Sequence, residues 1–209
     1  MGNEVKRCVI IAGAPEDNIE YYRDTLCERF VIAADSGYDK CTRLGIKPDL
    51  IIGDFDSSDE PDTDCEKIVL PVRKDDTDTF YAVKEAVKRG FGDIIILGGL
   101  GARFDHTYAN VLCIYYCLEH NVKCSIRDLQ NDITAVNTDT VINKENYTSF
   151  SIYALFEPCE GLGIKGSAYD TENIRLMPYE QFAQSNAFVS DRVEITLKSG
   201  TLMIIRSND

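Results

Sequence analysis

A chain of 209 residues, 44% hydrophobic and 27% charged, has the composition of a globular protein with one large core or two small ones. Its formal net charge of −13 argues against electrostatic capture of nucleic acid or an anionic membrane, so a bound nucleotide would need a metal ion or a few well-placed basic groups. The opening MGNEVKRCVI is too polar for a signal peptide, and no apolar run approaches membrane-spanning length, so the expected compartment is the cytoplasm. The eight cysteines are scattered through apolar runs with no CxxC pair, which reads as buried, reduced thiols rather than a zinc site or a disulfide framework.

In chain order, short apolar runs predict strands at Cys8–Ala12, Phe30–Ala34, Leu50–Ile52, Ile68–Val72, Ile94–Leu97 and Val122–Ile126. Two intervening helices are legible. One runs from Asp78 to Arg89, with Phe80, Val83 and Val87 at helical spacing and Gly90 to end it. The other runs from His106 to His120, with Tyr108, Val111, Leu112, Tyr115 and Leu118 as its apolar stripe. Strands alternating with helices predict a largely parallel sheet flanked by helices, an α/β domain over residues 1–138. After about residue 130 the texture changes: the strands Asp132–Val136, Phe150–Leu155, Ile174–Met177, Val193–Leu197 and Leu202–Ile205 follow with no convincing helix between them. Ser199-Gly200 reads as a hairpin turn joining the last two. A small antiparallel β domain over residues 139–209 is therefore expected.

The polar clusters fall at informative places. Asp35-Ser36-Gly37, Gly53-Asp54-Phe55-Asp56-Ser57, Lys74-Asp75-Asp76-Thr77-Asp78 and Gly98-Gly99-Leu100-Gly101-Ala102-Arg103-Phe104-Asp105 each follow a predicted strand. In a parallel sheet the C-terminal strand ends share one edge, and ligands bind in the crevice outside it. Each cluster alone has a simpler reading: Asp75, Asp76 or Asp105 as a helix cap, Asp54 and Asp56 as a solvated turn. Four such coincidences on one edge favour a site. Hard oxygen ligands without histidine or thiolate point to Mg²⁺ carrying phosphate oxygens. Gly98, Gly99 and Gly101 leave backbone N–H groups open to an anion, and Arg103 can fork onto phosphate. No GxxxxGK[ST] occurs, and Phe104 stands where a dinucleotide fingerprint needs its third glycine.

Taken together, GDFDS, KDDTD and GGLGARFDH resemble the thiamine pyrophosphokinase family in order and spacing, most specifically between Asp35 and Asn110. The resemblance implies an α/β domain followed by a β-sandwich, in a homodimer whose sites lie between the α/β domain of one subunit and the sandwich of the other. It implies transfer of pyrophosphate from ATP to the hydroxyethyl oxygen of thiamine, releasing AMP. By motif position, Asp54, Asp56 and Asp78 become the Mg²⁺ ligands, with Asp35 beside them as a water-mediated ligand or base. Thr77, Arg103 and the glycine loop would hold phosphates, and Asp105 would orient Arg103 or contact substrate. Lys74 falls near thiamine, and Ser185 would reach the pyrimidine end from the partner.

Three departures from the family pattern stand out: Ala102 in place of a glycine, GLGIKGSAY over residues 161–169, and no tryptophan at all. Stacking on the thiamine rings would then fall to Tyr or Phe, with Tyr169 a candidate. Two other functions compete. A Mg²⁺-dependent phosphohydrolase of the haloacid dehalogenase type also uses an acid-x-acid pair, but normally after its first strand. A non-catalytic nucleotide or thiamine sensor on the same fold is the other.

Overall fold

The structure is a computed structural model that describes residues 4–15, 19–55, 63–101 and 103–208. The chain forms two compact units, residues 1–129 and 130–209.

In the first unit, β1 (Arg7–Ile11), β2 (Phe30–Ala34), β3 (Leu50–Gly53), β4 (Glu66–Val69), β5 (Asp93–Leu97) and β6 (Lys123–Arg127) alternate with α1 (Tyr22–Leu26), α2 (Gly37–Leu44), α3 (Asp78–Lys88) and α4 (Phe104–Glu119). The strands pair in the order β6-β5-β1-β2-β3-β4, every pair parallel. The central strands are apolar throughout because both faces are covered: Val9, Ile10, Ile11, Ile32, Leu50, Ile51, Ile94 and Ile96 are all buried. Each such side chain contributes about 1.5–3 kcal/mol on leaving water.

Two details of this unit differ from the sequence reading. Strand β4 ends at Val69 instead of Val72. Pro71 has no N–H to extend the ladder, and at this edge of the sheet Val69 and Val72 are exposed. On α4 the buried face is Asn110, Cys113, Ile114 and Cys117, while Tyr108 and Leu112 are exposed. The helix is apolar nearly all round, so spacing alone does not select the face that packs. Gly90 follows α3 in the left-handed conformation, as expected, at φ +78°. The imidazole Nδ1 of His120 lies 2.8 Å from Tyr116 O at the C-terminal end of α4.

The second unit contains β7 (Asn131–Val136), β8 (Thr140–Asn143), β9 (Ser149–Ala154), β10 (Cys159–Lys165), β11 (Thr171–Leu176), β12 (Asn186–Ala187), β13 (Arg192–Thr196) and β14 (Leu202–Ser207). All pair antiparallel, in two sets ordered β12-β9-β14-β7 and β11-β10-β13-β8. Phe150, Ile152 and Ile204 from the first set share one core with Leu162, Ile164, Val193 and Ile195 from the second, which makes a β-sandwich.

The expected hairpin between the last two strands is not formed. Strand β13 pairs with β10 and β8, whereas β14 pairs with β9 and β7, so Ser199-Gly200 carries the chain from one sheet to the other. Gly200 has φ +95°, and a Cβ there would meet Cys159 Cα and Pro158 O at 2.8 Å. Only glycine fits so tight a crossing. Strand β10, CEGLGIK, escapes propensity arguments because of its glycines. Gly163 is required there by the approach of Thr196 Oγ1, 2.4 Å from where its Cβ would be.

All eight cysteines are free, and only Cys27 is exposed. Among the described residues no helix is long and apolar enough to cross a membrane.

Candidate active site

The chain lays down β2, β3 and β4 on one side of β1, then returns to place β5 and β6 on the other. Adjacent connections leaving β1 and β5 therefore diverge, opening a crevice at their C-terminal ends. A cleft of about 220 Å³ lies there, lined by residues that include Gly13, Asp35, Thr77, Asp78, Gly98, Gly101 and Arg103.

Asp35 enters the cleft through an unusual backbone. It ends β2 at φ +49°, a left-handed conformation that costs an L-residue about 1–3 kcal/mol and is most accessible to Asp and Asn. Two hydrogen bonds hold it: its N–H donates to Ile52 O at 2.8 Å, and its carbonyl accepts from Tyr38 N at 3.0 Å at the start of α2. Gly53, on neighbouring β3, permits the close approach, since a Cβ would stand 3.3 Å from Asp35 Cα.

The KDDTD run divides between opposite tasks. Lys74 donates to Asp54, and its ammonium lies 2.9 Å from Asp78 Oδ1. The three side chains are only 9%, 10% and 19% exposed for Lys74, Asp54 and Asp78 respectively. The contact to Asp78 is an ion contact off the hydrogen-bond line, and that buried oxygen accepts no hydrogen bond. Burial raises the Asp78 carboxyl above its ordinary range; Lys74 opposes this, while the charges of Asp35 and Asp54 reinforce it. For Lys74, burial disfavours the ammonium, but its close contacts with the carboxylates of Asp54 and Asp78 outweigh that and raise its pKa. Asp76 instead pairs with Lys84 at 2.5 Å. Thr77 caps α3, its Oγ1 accepting from Phe80 N at 3.2 Å. The capping role considered for the acids thus belongs to Thr77 on this helix.

The glycine loop is moored from below. Ala14 N donates to Gly98 O at 2.9 Å, and Asn110 Nδ2, on the buried face of α4, donates to Gly99 O at 2.8 Å. Lys40, 5% exposed on α2, donates to Ala12 O at 2.7 Å and Ala14 O at 2.5 Å. Gly98 sits over that ammonium at φ +64°, where a Cβ would be 2.2 Å from Lys40 Nζ. Gly98 and Gly101 line the cleft; Gly99 is buried and faces Ile96 and Ile126. Arg103 is exposed at the rim and pairs with Asp105, through Nε at 3.1 Å and Nη2 at 2.5 Å. The Arg103 guanidinium holds the Asp105 carboxyl below its usual range.

The structure thus brings Asp35, Thr77, Asp78, Gly98, Gly101 and Arg103 to one cleft and gathers Asp54 with Lys74 and Asp78. Asp56, with Ser57, and Ala102 lie outside the described residues. Among the described residues no three metal-binding side chains are drawn together. Sequence reasoning missed Gly13, Lys40 and Asn110, and it gave no role to Ser36 and His106, although both stand in the clusters it placed at the edge. Gly13-Ala14-Pro15 was within reach, because it follows the first strand just as the other clusters follow theirs.

Ser185, in the second unit, is exposed at φ +52°, and its N–H donates to Ser151 Oγ at 3.0 Å. Buried Asn186 accepts from Tyr169 N at 3.1 Å and donates to Ser167 Oγ at 3.1 Å. That tie holds exposed Tyr169 to the segment that carries Ser185.

Residues 25–126 match the family model described as thiamin pyrophosphokinase, catalytic domain. The chain is 28% identical to the thiamine pyrophosphokinase of Bacillus subtilis, over 98% of its own length and 100% of that protein. It is also 28% identical to thiamin pyrophosphokinase 1 of Caenorhabditis elegans, over 75% of its own length and 68% of the relative's. The crystal structure of the Bacillus subtilis protein superposes with a TM-score of 0.91 at 27% identity, covering 98% of this chain and 100% of that one.

Proposed function

From these likenesses we infer that the chain is a member of the thiamin pyrophosphokinase family and that it moves a pyrophosphoryl group from ATP to the hydroxyethyl oxygen of thiamine. The reading is supported most by one observation: acids, glycines and an arginine from separate strand ends meet in a cleft at the switch point of the sheet. The thiamine oxygen forms its bond to the β-phosphorus of ATP, the bond from that phosphorus to the α–β bridging oxygen breaks, and AMP leaves with that oxygen.

The acids suit a magnesium ion. Asp78 Oδ1 is buried with no hydrogen bond, and Asp54 and Asp78 already face a common cation in Lys74. Asp54, Asp78 and, by motif, Asp56 would hold it. Bound there, magnesium supplies neutralisation of the polyphosphate charge. Arg103, kept in place by Asp105, forks onto phosphate oxygens as negative charge moves to the departing AMP. Backbone around Gly98 and Gly101 approaches the phosphates where no side chain intervenes, and Thr77 closes that wall. Asp35 faces the cleft as the acceptor for the hydroxyl proton, directly or through water. Lys74 and Asp105 contact the substrates. The rate comes mainly from position and electrostatics.

With ATP, Mg²⁺ and thiamine, the chain should release AMP in step with thiamine diphosphate. Free phosphate without AMP would favour the phosphohydrolase, and binding without turnover the sensor.

The working form is a homodimer in which Ser185 completes a site on the partner's α/β unit. Mixing an Asp78→Asn chain with a Ser185→Ala chain should then restore part of the activity that each lacks alone, because one composite site receives two intact halves. Verified subunit exchange without recovery would place each site within one chain.

A further inference from the structure

Lys74 stands where two cleft acids need a positive charge. Its ammonium donates to Asp54 and lies 2.9 Å from Asp78 Oδ1, and all three side chains are largely buried. Carboxylates so placed repel one another unless a cation lies between them. The lysine supplies that charge without a bound ion, but incompletely, because the Asp78 oxygen it faces receives no hydrogen bond. Lysine is also the cation best suited to leave: a compact charge on a flexible four-carbon stem, without the rigid fork that locks arginine to a carboxylate. Arg103, by contrast, makes two bonds to Asp105 at the same cleft's rim.

We propose that Lys74 is an exchangeable counter-ion, its ammonium occupying the place between Asp54 and Asp78 in the nucleotide-free chain and giving it up only when a polyphosphate arrives. The inference rests on the metal-nucleotide reading of the cleft. A divalent ion and an ammonium between the same two acids repel each other, so the metal cannot enter while the lysine stays. Lys74 has no reason to leave for water, where it would abandon two carboxylates. A polyphosphate offers it an equivalent anionic partner and brings the metal with it. The exchange couples metal entry to nucleotide entry, and the free chain has little affinity for the metal alone. Lys74 is thereby a positioning residue that sets the order of binding.

Direct binding of Mn²⁺, followed by electron paramagnetic resonance, separates the possibilities. Without nucleotide, Lys74→Met should bind Mn²⁺ about tenfold or more tighter than wild type, a coupling of ordinary size between competing groups. Lys74→Arg, which keeps the charge, should remain as weak as wild type. If Lys74→Met binds no tighter, while wild type still takes up Mn²⁺ with a non-hydrolysable ATP analogue, the lysine is a fixed structural ion and the proposal falls. If no form takes up Mn²⁺ even with the analogue, the metal reading falls and takes this one with it. Should Lys74→Met fail to fold, the wild-type chain decides. The ε-methylene resonance of Lys74, assigned by its loss in Lys74→Arg, should shift on adding Mg²⁺ with the analogue but not with Mg²⁺ alone. A shift with Mg²⁺ alone, or with neither addition, overturns the exchange.

Discussion

Asp78→Asn should leave the chain folded and remove more than about a hundredfold of its turnover, beyond the usual effect of altering a group that merely supports a metal ligand. An amide is a poor partner for a hard divalent ion. The cost to the fold is small, because loss of one charge in the first turn of α3 weakens it by only about 0.3–1 kcal/mol. The pH dependence supplies a second readout. Burial holds the folded Asp78 carboxyl above its usual range. An acid raised in this way favours the fold while protonated, fully below the unfolded pKa, and that favour is lost as pH rises through the folded value. Wild type should therefore gain on Asp78→Asn as pH falls through that window, and melting curves from neutral pH into acid will register it. A folded mutant with near-normal turnover would reject the ligand role.

Lys40→Met should cost about 3 kcal/mol, because a buried carbonyl and a part-buried one lose a charged donor, and each unsatisfied acceptor costs about 1–3 kcal/mol. Those carbonyls, Ala12 and Ala14, belong to the connection after β1 that lines the cleft and is bonded to Gly98. The urea midpoint should drop with the m-value unchanged, and nucleotide affinity should drop with it. An unchanged midpoint would mean that water replaces the ammonium and that the lysine anchors nothing.

The parallel sheet was legible because strands covered on both faces spell unbroken apolar runs: CVIIA, FVIAA and IIIL need no arbitration. Legibility failed where a second partner decides the outcome. Spacing on α4 could not say which apolar face would pack, and turn chemistry at Ser199-Gly200 could not say which sheet the next strand would join. The cleft was half legible. The rule that strand C-termini share an edge drew Asp35, Asp78, Gly98 and Arg103 together from sequence alone. Lys40 was hidden because lysine reads as surface, although it repeats with Gly37, Cys41 and Leu44 on the buried face of α2. Asn110 was hidden among the apolar residues of α4 in the same way.

The central pairing of β1 with β5 has a consequence for biosynthesis. Arg7 pairs with Asp93 and Ile11 with Leu97, so the first strand made waits for the fifth before one of its flanks is covered. During translation β1 can take β2 as a neighbour early, yet the wall of the cleft that carries Gly98 does not exist until the ribosome has passed Leu97. Nucleotide cannot template the nascent chain, and a fragment ending before Asp93 presents the bare flank of β1 as a sticky edge. While that flank is bare, β1 offers an unpaired edge to other chains, and pairing with β5 closes it.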